Sequence, residues 1–456
     1  MTLSEYINSI RDKKIAVLGA GVSNMPLVRI LRRAGADVTV YDKATEEKLG
    51  ANYNELCSLG AKTVLGEGYL DRIDGDIIFR SPGIRPDRPG ILAAVDRGAV
   101  LTSEMEAFFE VCPAPIFAVT GSDGKTTTTT VISEILRAAG RKVWLGGNIG
   151  TPLLDKADEM TAEDVCVLEL SSFQLMTMKK SPMTAVITNL APNHLDVHKD
   201  MQEYIDSKKN IFIHDPQPRR VVLNADNGIT SSFVPEVRGQ CLTFSRRQPV
   251  ENGVFWQDGV IYAAVDGRTT EIMRSDDIFL PGAHNIENYM AAFAALWGYV
   301  PAEAMVKTAR EFKGVEHRIE YVRTLNGVKF YNDSIASSPS RTTAGLRSFK
   351  QKVILIAGGK DKGVPFDSLG AEIKEHVKKL VVTGLTAEKI KAAAINAGAD
   401  IPIIHEPDFR DAVEAAYRAA QPGDIVILSP ACTSFDRFKN FAERGRFFKE
   451  IVNGLE

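Results

Sequence analysis

The chain has 456 residues, of which 44% are hydrophobic and 25% are charged, and its formal net charge is −3. A chain of this length exceeds what one hydrophobic core usually serves, so we expect roughly two to four packed domains. Because charges of both signs balance closely, the sequence shows no electrostatic footprint for nucleic acid or for an anionic membrane surface.

The N-terminus and the cysteines favour a cytoplasmic protein. The first residues lack the apolar core of a signal peptide, and no run of about 18 apolar residues predicts a membrane span. The five cysteines form no C-x-x-C pair, so neither a zinc site nor a redox couple is indicated. Reduced thiols are therefore the default expectation.

The N-terminal segment is typical of a Rossmann-type nucleotide unit. A strand predicted over residues 15–18 leads into a turn with Gly19 and Gly21, an amphipathic helix follows, and the next strand ends at Asp42. The G-x-G-x-x-G fingerprint is incomplete, because it requires glycine where this chain has Asn24. The segment could bind some nucleotide or a redox dinucleotide. The missing glycine disfavours the dinucleotide, because it hinders close approach of the pyrophosphate.

A second turn, Arg80-Ser81-Pro82-Gly83-Ile84, follows a strand predicted over residues 76–79. Loops at strand ends are where open α/β sheets bind ligands. An ordinary Pro-Gly connection would explain the same residues equally well. A helix predicted over residues 104–110 then leads into the next segment, and we place the first domain boundary near residue 103.

The central segment opens with IFAVTGSDGKTTTTT, residues 116–130, in which an apolar strand, a glycine turn and a helix start follow one another. The glycines let backbone N–H groups converge on phosphate oxygens, and Lys125 is placed to reach the β- and γ-phosphates. The hydroxyl of Thr126 or of Thr127 could hold Mg²⁺. Val119 stands where the standard pattern has its first glycine, and a plain strand-to-helix connection is the alternative.

Two further strand ends of the central segment carry chemically useful side chains. Glu169 ends an apolar strand, where a carboxylate is costly unless it is paired or bound to a cation. A metal or water-positioning role and a structural ion pair are the alternatives for it. His194, Asp196 and His198 follow the next strand, and their spacing fits metal ligation or hydrogen bonding within a loop.

Two helices complete the central segment. The helix predicted over residues 201–212 carries Lys208 and Lys209, and adjacent lysines ordinarily form a solvated face. Farther on, Asn285 and Asn288 stand at the start of an apolar helix, where an asparagine can serve as a cap. Around residue 314 the pattern changes from helix to strand, which sets the second predicted boundary.

Strands alternate with helices again in the C-terminal segment, which predicts another parallel sheet with strands over residues 353–357, 379–382, 401–404 and 424–428. Three polar loops follow its strands, at residues 332–340, 357–363 and 429–445. They fit a small anionic substrate with Lys362 as the charge partner, and ordinary solvated loops fit as well. The predicted class is therefore α/β with three domains, a Rossmann-like domain over residues 1–103, a P-loop ATPase-like parallel sheet over 104–314 and a Rossmann-like domain over 315–456.

Seven motifs of the chain resemble motifs of the Mur ligase family and occur in the same order. They are TGSDGKTT, ELSSFQL, NLAPNHLD, YIDSKKNIF, HNIENYMAA, EHRIE and LSPACTSFDRFKNFAERG. The resemblance covers essentially the whole chain and implies an ATP-dependent carboxylate-amine ligase of peptidoglycan precursor synthesis. The last motif is the most specific, and it points to the member that adds D-glutamate to UDP-N-acetylmuramoyl-L-alanine through an acyl phosphate.

The resemblance also implies site residues, position by position. In the family the N-terminal domain binds the UDP moiety and carries no redox cofactor, and ATP lies between the central and C-terminal domains. The UDP-linked substrate would meet Gly21, Val22, Ser23, Asn24, Asp42, Ser81, Pro82 and Gly83, with Asn148 near its reacting carboxylate. ATP would meet Gly121, Ser122, Asp123, Gly124, Lys125, Thr126, Thr127, Asn285, Asn288, Arg318 and Asp333. The amino acid would contact Ser337, Lys362, Ser434 and Phe441.

The resemblance implies catalytic and metal-binding residues as well. The catalytic residues would be Lys125, Glu169, His194 and Lys208, and the ligands of two Mg²⁺ ions would be Thr126, Thr127, Glu169, His194 and Lys208.

Three positions call for comment within this resemblance. Lys208 falls where the family places a lysine that carries a carbamate, and a slip of one residue would assign that role to Lys209. Ser337 stands where the family commonly has threonine. Ile335 stands where many members have lysine, so one charge near the phosphates or the incoming glutamate is missing.

The expected partners are thus small molecules, namely UDP-N-acetylmuramoyl-L-alanine, D-glutamate and ATP with Mg²⁺, and the chain is expected to act as a monomer. The alternatives are a ligase of the same fold with another acceptor, such as L-glutamate, a dinucleotide-dependent oxidoreductase, and a nucleotide-dependent switch without acceptor chemistry.

Overall fold

The computed structural model describes residues 1–456, and its backbone forms three sheets of five, nine and six strands. The chain divides into two compact units, residues 1–276 with 287–308 and residues 277–286 with 309–456. The first unit holds the five- and nine-stranded sheets, and the second holds the six-stranded sheet. The predicted α/β class is confirmed, whereas the domain boundaries near residues 103 and 314 stay predictions.

The strands are β1 Lys14–Leu18, β2 Asp37–Asp42, β3 Lys62–Leu65, β4 Ile77–Arg80, β5 Val100–Thr102, β6 Ile116–Thr120, β7 Val143–Gly147, β8 Val165–Glu169, β9 Thr184–Ile187, β10 Arg220–Asn224, β11 Gln240–Ser245, β12 Gly253–Gln257, β13 Val260–Val265, β14 Arg268–Arg274, β15 Glu320–Leu325, β16 Val328–Asn332, β17 Val353–Gly358, β18 Val377–Thr383, β19 Ile403–His405 and β20 Ile425–Leu428.

The helices are α1 Leu3–Ile10, α2 Asn24–Arg33, α3 Glu46–Leu49, α4 Ala51–Ser58, α5 Pro89–Asp96, α6 Glu104–Val111, α7 Lys125–Ala138, α8 Ser172–Leu175, α9 Met201–Lys209, α10 Gly228–Ser231, α11 Ala283–Leu296, α12 Ala302–Glu311, α13 Pro339–Leu346, α14 Asp367–His376, α15 Ala387–Asn396, α16 Phe409–Arg418 and α17 Phe441–Gly454. Short 3₁₀ turns span Leu154–Glu159, Val234–Glu236 and Ser275–Asp277. None of the helices combines the length and the apolar character that a bilayer crossing requires.

The five-stranded sheet is parallel throughout, in the order β3-β2-β1-β4-β5. The chain leaves the adjacent strands β1 and β4 toward opposite edges, and such a reversal opens a crevice at their carboxyl ends. Leu18 pairs with Arg80 there, so the turn after Gly19 lies beside the turn at residues 81–83. The two predicted ligand loops of this segment are therefore neighbours.

The nine-stranded sheet has the order β14-β13-β12-β11-β10-β9-β6-β8-β7 and is parallel from β7 to β12. Every residue of β6 and of β8 is buried, as expected for parallel strands covered on both faces. The carboxyl ends of β9, β6 and β8 lie side by side, which brings the phosphate loop next to Glu169.

Two hairpins at the edge of this sheet, β12-β13 and β13-β14, were not predicted from the sequence. Their turns are the pairs Asp258-Gly259 and Asp266-Gly267, and all four residues have positive φ, between 49° and 83°. Asp-Gly between apolar runs is the usual signal for a two-residue hairpin. The signal was therefore present in the sequence.

The six-stranded sheet has the order β15-β16-β20-β17-β18-β19, and all pairs are parallel except β15 with β16. The parallel sheet predicted for this segment is confirmed, with β15 as an added antiparallel edge. Leu428 pairs with both Asn332 and Ile356, so the three polar loops of the segment leave the sheet at one edge.

Candidate functional site

The phosphate loop runs from the end of β6 to the start of α7 and depends on two glycines. Gly121 has φ of 146°, and a Cβ there would lie 1.9 Å from the Thr188 hydroxyl. Gly124 has φ of 78° and forms the N-cap of α7. The Nζ of Lys125 donates to the carbonyls of Gly121 and Ser122, at 2.9 Å each. The helix N-terminus and the ammonium group therefore lie at the same loop, and such an arrangement favours binding of an anion such as phosphate.

Glu169 lies beside this loop with its carboxylate buried. Its Oε2 accepts from the Thr126 hydroxyl and its Oε1 accepts from the Asn148 amide, at 2.7 Å each. A threonine hydroxyl, a carboxylate and an amide oxygen are oxygen donors, which suit Mg²⁺. No group of three or more His, Cys, Asp and Glu side chains is gathered for a metal ion. Mg²⁺ ordinarily uses one or two carboxylates together with substrate phosphates, so this donor set fits the ion.

Lys208 reaches the same loop from α9. Only 2% of the residue is exposed, and its Nζ donates to the Thr120 hydroxyl and the Gly121 carbonyl, at 3.0 Å each. Burial, reinforced by the nearby Lys125 ammonium, holds the pKa of Lys208 well below its usual range. Lys209 points elsewhere, pairing with Glu236 and lying 5.1 Å from the centre of the Phe233 ring. Of the two candidate lysines, only Lys208 contacts the phosphate loop.

The remaining predicted central residues surround this loop at different depths. His194 has φ of 55°, and its ring packs edge-on against Phe173 with centroids 5.2 Å apart. Asn288 is buried, and its Oδ1 accepts from the Thr128 hydroxyl at 3.3 Å. Thr127 is also buried. A purely structural role would explain these contacts as well as a role in ligand binding would, so the predicted roles of these residues stay predictions.

In the five-stranded sheet, Asp42 shapes the turn after β1. Its Oδ2 accepts from the Ala20 N–H at 2.8 Å, and its Oδ1 accepts from the Ala44 N–H at 2.8 Å. Asn24 is buried, and its amide donates to the carbonyls of Leu18 and Gly19 at 3.0 Å. Val22, in contrast, is 78% exposed. Asn24 therefore holds the turn from beneath, while Val22 lies at its surface.

The six-stranded unit carries its own cluster at the edge of β16 and β20. Asp333 accepts from the Ser429 hydroxyl at 2.7 Å, and burial raises the pKa of Asp333 to about 7. The Arg444 guanidinium is buried and donates to the Ser334 hydroxyl and carbonyl at 3.0 and 2.8 Å. Sequence reasoning missed Arg444 as an individual residue, although it lies inside the last quoted motif.

The four residues predicted for the amino acid differ in exposure. Ser434 is buried, Lys362 is exposed and Phe441 is 37% exposed at the start of α17. The Ser337 hydroxyl donates to the Ile335 carbonyl at 3.0 Å. In the same unit Asn285 is buried, and its amide donates to the Pro281 carbonyl at 2.6 Å. Whether these residues bind ligand stays a prediction.

Two arginines that the sequence did not single out tie the two sheets of the first unit together. Arg80 is buried, and its guanidinium donates to the carbonyls of Ile84 and Phe173, at 2.7 and 2.8 Å. Arg85 forms ion pairs with Asp87 and Glu203, both at 2.8 Å. No short motif marks either residue, because their partners lie up to 118 positions away.

Comparison with known proteins agrees with this geometry. The chain matches the Mur ligase middle domain over residues 119–296 and the glutamate ligase domain of Mur ligases over residues 317–432. It is 56% identical to a protein of Ruminiclostridium cellulolyticum and 55% identical to one of Acetivibrio thermocellus, across 100% of this chain and 99% of each relative. Both relatives are named UDP-N-acetylmuramoylalanine--D-glutamate ligase.

Solved structures share the fold at low sequence identity. A UDP-N-acetylmuramate-alanine ligase of Thermotoga maritima is 17% identical with a TM-score of 0.58, over 97% of this chain and 99% of that one. A type C pseudomurein peptide ligase of Methanothermus fervidus is 19% identical with a TM-score of 0.53, over 98% and 100%.

Proposed function

The chain belongs to the Mur ligase family, and we propose that it joins D-glutamate to UDP-N-acetylmuramoyl-L-alanine with cleavage of ATP to ADP and phosphate. One observation carries the proposal. Lys125, Glu169 and Lys208 come from three separate elements and converge on one phosphate loop, in a chain whose full-length relatives bear the name of this activity. An oxidoreductase built on Gly19 and Gly21 would leave that convergence unexplained.

The chemistry proceeds in two steps. The carboxylate of the UDP-linked substrate attacks the γ-phosphorus of ATP, which forms an acyl phosphate and releases ADP. The glutamate amine then attacks the acyl carbon, loses a proton and expels phosphate through a tetrahedral intermediate. Because no protein group forms a covalent bond to the substrates in this scheme, the protein contributes by positioning the reacting groups and by neutralising the charge on the phosphates.

Individual residues have distinct parts in this scheme. Lys125 places positive charge at the β- and γ-phosphates, together with the N-terminus of α7. Asn148, which is hydrogen-bonded to Glu169, would orient the reacting carboxylate. Thr126, Thr127, Glu169 and His194 would hold Mg²⁺, which supplies charge neutralisation on the transferred phosphoryl group.

We propose further that Lys208 is carbamylated. Its amine would attack carbon dioxide, forming an N–C bond and releasing a proton. Burial favours this step because it lowers the pKa of the amine and so raises its neutral, nucleophilic fraction. The product places a negative charge beside the phosphate loop, where Mg²⁺ would be bound.

The other proposals concern binding and setting. The turns at residues 21–24 and 81–83, with Asp42, would bind UDP. Asn285, Asn288, Arg318 and Asp333 would contact ATP, and Ser337, Lys362, Ser434 and Phe441 would contact glutamate. The domains would comprise residues 1–103, 104–314 and 315–456. The protein would act as a monomer in the cytoplasm, where ATP is supplied.

Phosphate release tests the function directly. The assay contains ATP, Mg²⁺ and UDP-N-acetylmuramoyl-L-alanine, with D-glutamate, L-glutamate or no amino acid. We expect release that depends on D-glutamate and a product heavier by one glutamyl unit. Stimulation by L-glutamate alone would transfer the specificity to the other enantiomer, and slow release that no amino acid stimulates would indicate a nucleotide-dependent switch instead.

Replacing Glu169 with glutamine tests the magnesium assignment. The amide keeps the shape of the side chain but removes its charge, so we expect kcat to fall by about 10²-fold and half-maximal activity to require more Mg²⁺. Glu159→Gln is the control, because Glu159 forms an exposed pair with Lys156. A Glu169→Gln enzyme with an unchanged magnesium titration would contradict the assignment.

A further inference from the structure

The turn that we propose for UDP is hydrogen-bonded at both of its ends to segments that connect strands of the nine-stranded sheet. On its N-terminal side, Arg80 donates to the Phe173 carbonyl at 2.8 Å and to the Thr177 hydroxyl at 3.2 Å. On its C-terminal side, Arg85 donates to both carboxylate oxygens of Glu203, at 2.8 and 2.9 Å. The turn is therefore clamped to α8 and its following residues on one side and to α9 on the other.

The helix that Arg85 contacts is the one that supports the phosphate loop. Glu203 is followed by Tyr204, whose hydroxyl is 2.8 Å from that of Ser122, and by Lys208, which donates to the Gly121 carbonyl. Asp200 caps this helix by accepting from the Glu203 N–H at 2.8 Å. Helix α9 thus contacts both the turn that we propose for UDP and the loop that we propose for the ATP phosphates.

A second branch of contacts leads from Glu203 to the segment after Glu169. Glu203 Oε2 lies 3.3 Å from Nδ1 of His198, and the other ring nitrogen of His198 is 2.9 Å from the Ser172 hydroxyl. The His198 ring also stacks on Phe173 at 5.2 Å. Through Glu203, Arg85 is therefore connected both to the phosphate loop and to the segment that follows Glu169.

The Arg85 pairing is suited to fixing a distance. The side chains of Arg85 and Glu203 are 18% and 23% exposed, and Asp87 holds the guanidinium from a second direction at 2.8 Å. The pairing with Arg85 lowers the pKa of Glu203 to about 2, so both groups stay ionised near neutral pH. A bidentate guanidinium-carboxylate pair restricts geometry more than a single hydrogen bond does.

We propose that Arg85 is a positioning residue that sets the spacing between the UDP turn and the phosphate loop. The inference rests on the proposed function, in which a single substrate is held by its UDP end at one place and reacts through its carboxylate at the other. Because a misplacement of about 1 Å can cost about 10²-fold in rate, the spacing between the two subsites must match the length of that substrate.

The test distinguishes damage to either binding subsite from a change in the spacing between them. For Arg85→Ala and Glu203→Gln we measure kcat and KM for UDP-N-acetylmuramoyl-L-alanine, and by calorimetry the affinity for UDP alone and for ATP alone. We expect kcat/KM for the intact substrate to fall by about tenfold or more. Both separate affinities should stay within about twofold of the unmodified enzyme, because neither subsite uses Arg85 directly. Arg85→Lys should restore part of the loss, since it keeps one charged contact.

The control is Arg29→Ala, since Arg29 of α2 forms a comparable bidentate pair with Glu55 of α4, away from both proposed subsites. We expect this variant to keep normal kinetics. Unchanged kcat/KM in Arg85→Ala would overturn the inference, and so would a loss of UDP affinity that matches the loss of activity. If the unmodified enzyme forms no glutamyl product, the proposed function has failed instead.

Discussion

Replacing Lys125 with alanine is expected to lower kcat by about 10³-fold. The Lys125 ammonium is held over the phosphate loop by the carbonyls of Gly121 and Ser122, at 2.9 Å each. Phosphoryl transfer spreads negative charge over the γ-phosphate oxygens, and a preorganised cation stabilises that charge more in the transition state than in bound ATP. The loss should therefore fall on kcat more than on the KM for ATP.

Initial rates of phosphate release at saturating ATP measure this effect. Lys142→Ala is the matched control, because the Lys142 side chain is 59% exposed and pairs with Asp164 before the start of β8. That variant should turn over normally. Near-normal turnover by the Lys125→Ala enzyme would contradict the whole phosphate assignment.

The adjacent lysines of α9 are expected to differ sharply. Lys208→Ala should lower kcat by about 10³-fold, because it removes the group that we propose to carry an anion beside the phosphates. Lys209→Ala should keep activity within about twofold, because that side chain pairs with the partly exposed Glu236 and such surface pairs contribute little.

Two measurements check this prediction. Steady-state phosphate release compares the two variants, and NMR after incubation with ¹³C-bicarbonate detects a carbamate carbonyl. The signal should be present in the unmodified enzyme and in Lys209→Ala, and missing from Lys208→Ala. Equal loss of activity in both variants would overturn the choice of Lys208.

Local pattern was enough to locate the phosphate loop. An apolar strand, closely spaced glycines and a following lysine are adjacent along the chain, and the conformation that they require depends on positive φ at glycine rather than on distant partners. The parallel strands β6, β8, β17 and β20 were predicted for a similar reason, since continuous apolar runs are typical of strands buried on both faces.

Contacts between distant residues could not be predicted in the same way. The sequence singled out Thr126, Asn148 and Glu169 separately, yet the hydrogen bonds that join them span 43 and 21 positions. Arg80 was named only as part of a turn and Arg85 not at all, because an arginine beside a turn is ordinarily solvated and no local periodicity predicts a partner on a distant helix.

By itself, then, the sequence determined the α/β class, the phosphate loop, the chemistry expected at its strand ends and, through its motifs, the Mur ligase family. Only the tertiary structure decided which of two adjacent lysines contacts that loop. It also decided which arginines connect α8 and α9 to the turn that we propose for UDP. The physical reason is that backbone conformation follows from neighbouring residues, whereas the burial of Lys208 and the pairing of Arg85 with Glu203 depend on how strands far apart in sequence are ordered in a sheet.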